Sequence, residues 1–276
     1  MVKDDLVSDE KSSCIEGIRQ IVFYSEYLER DVIIDIYLPA VLPAEIADLL
    51  LINDGQDLRT MNFSGVIDPL FRSKSIKPIL CIGIHSGIDR MNEYGTMCRT
   101  DYKGRGAKAG LYSKFIFDEL LPFIKIEFNI ASFKNKSFAG FSLGGLSALD
   151  IVWNHAEEFV KAGVFSGSLW WRRRGYEDEG YDWEKDRIMQ LQVQKGTIKP
   201  GLAFFFECGR LDETADRNNN GIIDSIEDTT DLIAALKELG FTDKQIFYLE
   251  LQDGRHDIET WKRAFPVFLK WGWGNI

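Results

Sequence analysis

Residues 136–153 read KSFAGFSLGGLSALDIVW, and this stretch decides the fold. An apolar run leads into G-F-S-L-G at 140–144, which has the form G-x-S-x-G, and an apolar helical pattern follows. A serine between a strand and a helix occupies a tight, strained turn, and small residues on either side let the helix enter close behind. The stretch therefore predicts a nucleophile elbow at Ser142, with an ordinary glycine-rich loop as the alternative.

Strand-like and helical patterns alternate along the rest of the chain. Short, nearly continuous apolar runs are typical of parallel strands that are covered on both faces, and longer runs with helical periodicity lie between them. The strand-like runs are 48–53, 78–84, 137–140, 160–166, 202–208 and 246–251, and the helical ones are 113–127, 145–153, 225–239 and 257–271. This alternation predicts a parallel sheet with helices on both faces.

The N-terminal part has a different pattern. Runs 19–28 and 31–40 show partial alternation and are separated by a short polar stretch, which indicates an antiparallel hairpin. No repeat or interdomain linker is visible, so residues 1–276 are predicted to form one α/β domain with a mostly parallel sheet of about eight strands. The charged segment 171–187 is the candidate for an insertion or lid, and a solvated loop is the alternative.

The composition, the net charge and the lengths of the apolar runs exclude several classes of protein. The 276 residues are 45% hydrophobic and 28% charged, which excludes disorder, and 33 basic against 43 acidic residues give a net charge of −10 that disfavours nucleic-acid binding. No apolar run reaches the roughly 20 residues of a membrane span, and the opening 1–13 lacks the apolar core of an export signal. We expect a cytoplasmic protein with no nucleic-acid or membrane partner, although a chain trimmed of its signal peptide would look the same. Its cysteines lack metal-ligand spacing and are expected to be reduced thiols: Cys14, Cys81, Cys98 and Cys208.

A nucleophilic serine needs a base, and the sequence contains three histidines. His155 lies near the end of the elbow helix, where a surface or capping role is expected. His85 follows a predicted strand but precedes the serine, whereas α/β-hydrolases place their base last in the chain. His256 lies in D-G-R-H-D between the last strand and the last helix, and it is the predicted base. A loop histidine that caps the helix is the alternative.

The catalytic acid is expected on the loop after the penultimate strand. There the chain offers Asp212 and Glu213, and Asp212 is the choice. A carboxylate at this position can hold the imidazole tautomer and stabilise the imidazolium ion. The chain order Ser142, Asp212, His256 is that of the α/β-hydrolases, and an ordinary turn residue is the alternative for Asp212.

The oxyanion hole requires two backbone amides, and the first is that of Leu143, the residue after the nucleophile. The second is placed at Gln56, with Asp57 as the alternative, in the N-D-G-Q-D loop that follows the strand at 48–53. A plain strand-exit turn would have the same composition.

Four residues are candidates for substrate contact. Trp170 and Trp171 follow the strand at 160–166 and would offer an aromatic wall to a sugar or phenolic group, with core packing as an equal alternative. His85 and Asp57 follow strands whose carboxyl ends are expected at the same edge of the sheet, so we expect both near the substrate.

The chain resembles a known family over nearly its whole length, from about residue 21 to residue 271. The segments that carry the resemblance are VIIDIYLPA, LLINDGQDL, DRMNEYGT, ELLPFIK, GFSLGG, FSGSLWW and DGRHDIETW. They are similar to those of esterases related to enterochelin esterase, esterase D and feruloyl esterase. The resemblance implies an α/β-hydrolase fold, serine ester hydrolysis, the triad Ser142, Asp212 and His256, and the N-D-G-Q-D loop as oxyanion donor. Substrates in this family range over sugar acyl esters, siderophore esters and thioesters.

An EF-hand-like calcium loop is predicted just after the acid. Residues 216–227 read DRNNNGIIDSIE and match D-x-[DN]-x-[DN]-G-x5-E at every specified position. The ion is expected to be structural, because an oxygen-only site lacks the ligands of hydrolytic zinc, and a polar turn that binds no metal is the alternative. The predicted ligands are Asp216, Asn218, Asn220, the Ile222 carbonyl, Asp224 and Glu227.

These features together predict a serine carboxylic-ester hydrolase that works through an acyl-enzyme and needs no cofactor for its chemistry. The expected partner is a small ester such as an acylated sugar or a siderophore. An acyltransferase with the same triad is the nearest alternative, and a non-catalytic, calcium-stabilised binding protein is the alternative of a different class. The sequence is compatible with a homo-oligomer.

Overall fold

A single sheet organises the chain in the computed structural model, which describes residues 14–40 and 47–275. The polar opening at 1–13, on which the expectation of no export signal depends, lies outside these residues. The sheet has eight strands in the order β1-β2-β4-β3-β5-β6-β7-β8. They are β1 Ile15–Ser25, β2 Arg30–Pro39, β3 Ala47–Asn53, β4 Ile79–Ile84, β5 Phe133–Phe141, β6 Lys161–Phe165, β7 Ala203–Leu211 and β8 Ile246–Arg255.

The strand directions confirm the predicted architecture. β1 and β2 form the antiparallel hairpin, and β2 also pairs antiparallel with β4. The pairs from β4 through β3, β5, β6 and β7 to β8 are all parallel. This is the α/β-hydrolase arrangement, in which the carboxyl ends of the parallel strands meet at one edge.

Helices connect the strands and cover both faces of the sheet. In the described part of the chain, none is long and apolar enough to cross a membrane. The helices predicted at 145–153, 225–239 and 257–271 are confirmed with small shifts of their ends. The pattern predicted at 113–127 belongs to a longer helical stretch that contains a π-helical turn. The helices are α1 Asp57–Thr60, α2 Phe63–Arg72, α3 Arg90–Glu93, α4 Ala109–Lys114, the π-helical turn Phe115–Leu120, α5 Leu121–Glu127, α6 Leu143–Asn154, α7 Trp183–Asp186, α8 Ile188–Gln194, α9 Asp224–Glu238 and α10 Ile258–Trp273.

The core lies in two layers, one on each face of the sheet. Strand β3 shows the reason for the continuous apolar runs, because Leu49 and Leu51 pack in one layer and Leu50 and Ile52 in the other. Helices α6 and α9 cover the first layer, and α2 and α10 cover the second. A strand between two covered faces has no side that water reaches, so most of its side chains are apolar.

The two ends of segment 171–187 are packed against the domain, whereas residues 176–180 are exposed. Arg172, Asp186 and Arg187 are buried, and the Arg172 guanidinium lies 3.7 Å from the centre of the Tyr176 ring. Arg187 forms ion pairs with Asp228 and with a second aspartate of α9. Burial and pairing hold the charges at its two ends, so the insertion and the solvated loop both stay open as interpretations of its exposed middle.

Candidate active site

The structure places Ser142 in a tight turn between a strand and a helix, the position predicted for it. This residue stands between the end of β5 and the start of α6 and has φ 53° and ψ −121°, a left-handed backbone that is strained for a serine. Its amide donates a 2.8 Å hydrogen bond to the carbonyl of Phe165 at the end of β6. A Cβ atom on Gly140 would lie 2.4 Å from the carbonyl oxygen of Gly144, so this position has room for glycine only.

The Ser142 hydroxyl lies beside a second serine that the sequence reasoning missed. Its Oγ is 3.4 Å from the Oγ of Ser168, and the Ser168 amide donates a 3.0 Å hydrogen bond to the Ser142 carbonyl. Ser168 is buried in the loop after β6. The sequence does place Ser168 just after a predicted parallel strand, and loops at the carboxyl ends of such strands border the sites of open α/β sheets. That position could have indicated a residue of the site.

Asp212 and His256 become neighbours through the register of two parallel strands. Leu211 at the end of β7 pairs with Arg255 at the end of β8, and Asp212 and His256 are the next residue on each strand. The charge of Asp212 acts directly on the imidazole and favours its protonated form. The structure thus places the predicted acid and base side by side at the carboxyl edge of the sheet, where Ser142 also lies. Among the described residues, neither Asp212 oxygen accepts a hydrogen bond of good geometry, from His256 or from any other group.

The environment of this pair favours a neutral base. The His256 ring is exposed at the loop surface, with the Trp261 ring 5.4 Å away, yet the surrounding protein displaces enough water to lower its pKa below the ordinary value. The negative charge of Asp212 opposes this shift. Burial raises the pKa of Asp212, and His256 counteracts that rise.

The predicted oxyanion loop is held tightly against the elbow. The Asn53 side-chain amide donates a 2.8 Å hydrogen bond to the Gly144 carbonyl. Arg90 of α3 forms a bidentate ion pair with Asp54, with both N–O distances 2.7 Å, and the Asp54 amide donates to the Tyr94 hydroxyl. These contacts assign a stabilising role to the D-R-M-N-E-Y-G-T segment.

Two backbone amides remain free in this arrangement. Within residues 14–40 and 47–275, neither the Gln56 amide nor the Leu143 amide donates to a protein acceptor. Gln56 precedes the first residue of α1, and Leu143 is the first residue of α6, so both amides are at the start of a helical turn. Unpaired amides at such positions are suited to bind an anionic oxygen.

The predicted substrate residues have different surroundings. Trp171 is fully buried and packs against Gly95 and Gly106, so its position favours core packing over substrate contact. Trp170 is only partly buried. His85 donates or accepts a 2.9 Å hydrogen bond with the buried Asp35, which makes it part of a polar network inside the sheet edge.

Asp57 is the first residue of α1, on the oxyanion loop. Burial, followed by the neighbouring charge of Asp54, raises the pKa of its carboxyl. Its position therefore leaves it a candidate for substrate contact.

Two carboxylates, at the first and last positions of the loop at 216–227, accept hydrogen bonds from within the loop. Asp216 accepts hydrogen bonds from the amides of Asn220 and Gly221 at 3.1 and 2.9 Å. Glu227 accepts from the side-chain amides of Asn218 and Asn220 at 2.8 and 2.5 Å. Four of the six predicted ligands thus contact one another through one connected set of hydrogen bonds.

Asp224 is oriented differently from the other predicted ligands. Its Oδ1 accepts from the amide and the Nε of Arg217 at 2.8 and 3.1 Å. The described part of the chain contains no cluster of three histidine, cysteine or carboxylate side chains that could hold a metal. A metal at this loop would therefore depend on amide and carbonyl oxygens in addition to carboxylates.

Comparison with known proteins identifies relatives over most of the chain. The family described as "Putative esterase" matches residues 25–271. The iron(III) enterobactin esterase of Escherichia coli (strain K12) is 25% identical over 249 residues, which are 88% of this chain and 54% of that protein. The chain therefore spans about half the length of this curated relative.

Solved structures share the fold. The enterobactin esterase from Shigella flexneri, in a structure determined in the presence of enterobactin, superimposes with a TM-score of 0.71 at 22% identity and covers 92% of this chain and 58% of its own. A ferulic acid esterase superimposes with a TM-score of 0.67 at 17% identity and covers 94% of this chain and 98% of its own.

Proposed function

Since the chain belongs to the putative esterase family, we propose that it hydrolyses carboxylic esters through a Ser142-His256-Asp212 triad and an acyl-enzyme. The observation that carries the proposal is the shared edge of the sheet. A serine with a strained, left-handed backbone follows β5, and the acid and base follow β7 and β8 as paired neighbours. This is the strand arrangement on which α/β-hydrolases build their triads.

The proposed reaction has two steps. The Ser142 hydroxyl attacks the acyl carbon while His256 takes its proton, and the amides of Leu143 and Gln56 donate hydrogen bonds to the resulting oxyanion. His256 then returns the proton to the leaving alkoxide, and a water molecule hydrolyses the acyl-enzyme with the same base. The Ser142 hydroxyl contacts Ser168 at 3.4 Å in the structure, and in the attack it must donate its proton to His256 instead.

A small ester is the proposed substrate. The relatives are named an iron(III) enterobactin esterase and a ferulic acid esterase, and Trp170 of this chain offers a partly exposed ring, with the Arg105 guanidinium 5.2 Å from its centre. We therefore favour an acylated sugar, a siderophore or a similar small ester. An acyltransferase would use the same groups with an alcohol in place of water.

A panel of esters tests this function. Wild type and Ser142→Ala are assayed on p-nitrophenyl and naphthyl esters and on acetylated and feruloylated sugars. We expect wild type to release acid from at least one class and the variant to release none, because only wild type can form the acyl-enzyme. Product analysis with an added acceptor alcohol separates hydrolysis from transfer. Failure of wild type on every ester would favour the binding-protein alternative.

Calcium binding at 216–227 is part of the same proposal, in a structural role. The Glu227 Oε2 atom is buried without a hydrogen bond among the described residues, its ion-pair partner being Arg217 Nε at 3.6 Å, and Asp216 presents its carboxylate to the same loop. Asp216, Asn218, Asn220, Ile222 and Glu227 would supply oxygens to the ion, and Asp224 would join them directly or through water once released from Arg217. Calcium needs this kind of oxygen-rich site.

Chelation is expected to lower the melting temperature. An ion that binds only the folded chain stabilises it by RT ln(1 + [Ca²⁺]/Kd), about 2.7 kcal/mol at a hundredfold excess over Kd. Activity should fall with EDTA and return with calcium, because the loop follows the catalytic acid by only a few residues. Melting curves with and without EDTA, together with calorimetric titration, measure both effects.

Two variants make the calcium test specific. Glu227→Gln should mimic chelation and leave little further effect of EDTA, whereas Glu238→Gln, at the exposed far end of α9, should respond like wild type. A titration with no heat of binding, combined with melting curves that do not move with EDTA, would reduce the loop to a polar turn.

A further inference from the structure

Strand β7 carries a glutamate that the proposed chemistry does not use. Glu207 is 1% exposed, and neither of its carboxyl oxygens has a hydrogen-bond partner of good geometry in the part of the chain that the structure describes. It pairs with Phe165 of β6 and stands five positions before Asp212. Because a buried carboxylate without partners is strongly disfavoured, this group requires an explanation.

The nearest polar groups connect Glu207 to the catalytic acid. The Ser166 amide donates a 2.8 Å hydrogen bond to the Glu207 carbonyl, and the Ser166 hydroxyl accepts a 2.9 Å hydrogen bond from Trp261 Nε1. The same hydroxyl lies close enough to the Glu207 and Asp212 carboxyls to lower the pKa of both. Ser166 is thus a polar link between two carboxyls, and φ 44° shows that its backbone is held in a strained conformation.

The charges around Glu207 favour its neutral form. Burial, followed by the charge of Asp212, raises the pKa of Glu207 to about 8, while Ser166 and Arg263 act in the opposite direction. The Cys208 thiol points to the opposite face of the sheet, toward Thr229 of α9, and Tyr248 packs in that same layer. A negative charge on Glu207 nevertheless raises the pKa of both groups. At neutral pH one proton therefore belongs to the Glu207 carboxyl.

We propose that Glu207 is a positioning residue for Asp212: its protonated carboxyl, linked through the Ser166 hydroxyl, supplies donors to the buried Asp212 carboxylate and keeps it ionised and directed at His256. The proposal rests on the proposed function of Asp212. Both Asp212 oxygens are buried without a protein partner of good geometry among the described residues. The Ser166 hydroxyl and the Gly209 backbone both favour the ionised form of Asp212, so a donor held in place by Glu207 would stabilise this carboxylate further. Loss of the Glu207 proton would place two like charges in one pocket and weaken the acid's hold on the imidazole.

The test compares pH profiles of kcat/KM in Glu207→Gln and Glu207→Leu with wild type. Wild type should lose activity above pH about 8, whereas Glu207→Gln, which keeps a donor and cannot ionise, should stay flat there and lie within about twofold of wild type at pH 7. Glu207→Leu should lower kcat at pH 7 by about tenfold with little change in KM, since it removes the donor. Glu250→Gln, a carboxyl of the neighbouring β8, serves as the matched control and should follow wild type.

Stability reports the Glu207 proton independently of activity. The unfolded chain releases this proton near pH 4.5, the ordinary value, while the folded chain retains it to pH about 8. Between these limits wild type loses stability as the pH rises, and Glu207→Gln, which has no such proton, does not share this loss. The melting temperature of Glu207→Gln relative to wild type should therefore increase from pH 5 to pH 8 and stay constant above.

The outcomes that contradict the role of Glu207 differ from those that contradict the proposed triad. A melting-temperature difference that does not change with pH, or an alkaline limb that persists in Glu207→Gln, would overturn the proposal. Full activity of Ser142→Ala or of Asp212→Asn would instead remove the proposed function, while the melting curves would still report whether Glu207 is protonated. A third outcome also overturns the proposal: the melting-temperature difference changes with pH as expected, but the pH profiles of kcat/KM in both Glu207 variants equal that of wild type. Glu207 would then be a buried acid without a role in positioning Asp212.

Discussion

Replacement of Ser142 by alanine is expected to lower kcat/KM by about 10⁴-fold or more, and His256→Ala should do the same. The first change removes the nucleophile and the second removes the base that activates it. Since the two groups act in one proton transfer, the double variant should be barely slower than either single variant. Steady-state kinetics on the ester that wild type hydrolyses best, with the uncatalysed rate subtracted, measures all three.

The fold should survive the serine replacement. Alanine at position 142 meets the same left-handed backbone strain that serine already bears, and only the 3.4 Å contact with Ser168 is lost. The melting temperature of Ser142→Ala should therefore equal that of wild type. His155→Ala is the matched histidine control, because His155 caps the far end of α6 and should leave turnover unchanged. Near-wild-type turnover in Ser142→Ala or His256→Ala would exclude the serine mechanism.

The sequence predicted the sheet well because the apolar runs have a direct physical cause. A strand such as β3 packs side chains into both core layers, so its continuous hydrophobicity is visible without any structure. Helix α2 was missed although Phe63, Ile67 and Leu70 form a helical apolar face. Gly65 and Pro69 lower its helix propensity, and packing of that face against the sheet outweighs the local preference.

The ends of β7 and β8 were placed too early. Both strands continue through residues that have turn-like composition, and β7 extends to Leu211 and β8 to Arg255. A register shift between Gly209 and Leu211 accommodates this continuation. As a result, Asp212 directly follows the end of β7. The order of serine, acid and base along the chain is visible in the sequence, whereas the alignment of Asp212 with His256 depends on this register shift and is not.

Contacts between distant segments were invisible in the sequence. The ion pair between Arg90 and Asp54 joins residues that are 36 positions apart, so it depends on how the strands before each of them are arranged in the sheet. Glu207 interrupts the apolar run at 202–208, and its burial is not visible in the sequence because glutamate is almost always exposed. The environment of a site thus depends on packing, whereas its reactive groups are fixed by local motifs.

Asp212→Asn is expected to lower kcat by about 10³- to 10⁴-fold, a severe but smaller loss than removal of Ser142. The nucleophile and base remain, but an amide no longer stabilises the imidazolium ion and can fix the wrong imidazole tautomer. The amide is nearly the same size as the carboxylate, so KM and the fold should change little. Turnover of Asp212→Asn and wild type on the same ester measures the effect.

The pH profile shows whether the loss acts through His256. The charge of Asp212 favours protonated imidazole, so its removal should lower the pKa of His256 further and move the acid limb of kcat/KM to lower pH. Glu213→Gln is the matched control: the Glu213 carboxyl accepts a 2.6 Å hydrogen bond from the Ser225 amide, so its loss should affect stability more than the acid limb. If Glu213→Gln or Asp216→Asn abolishes turnover while Asp212→Asn is silent, the catalytic acid is one of those residues and the alignment of β7 with β8 has another purpose.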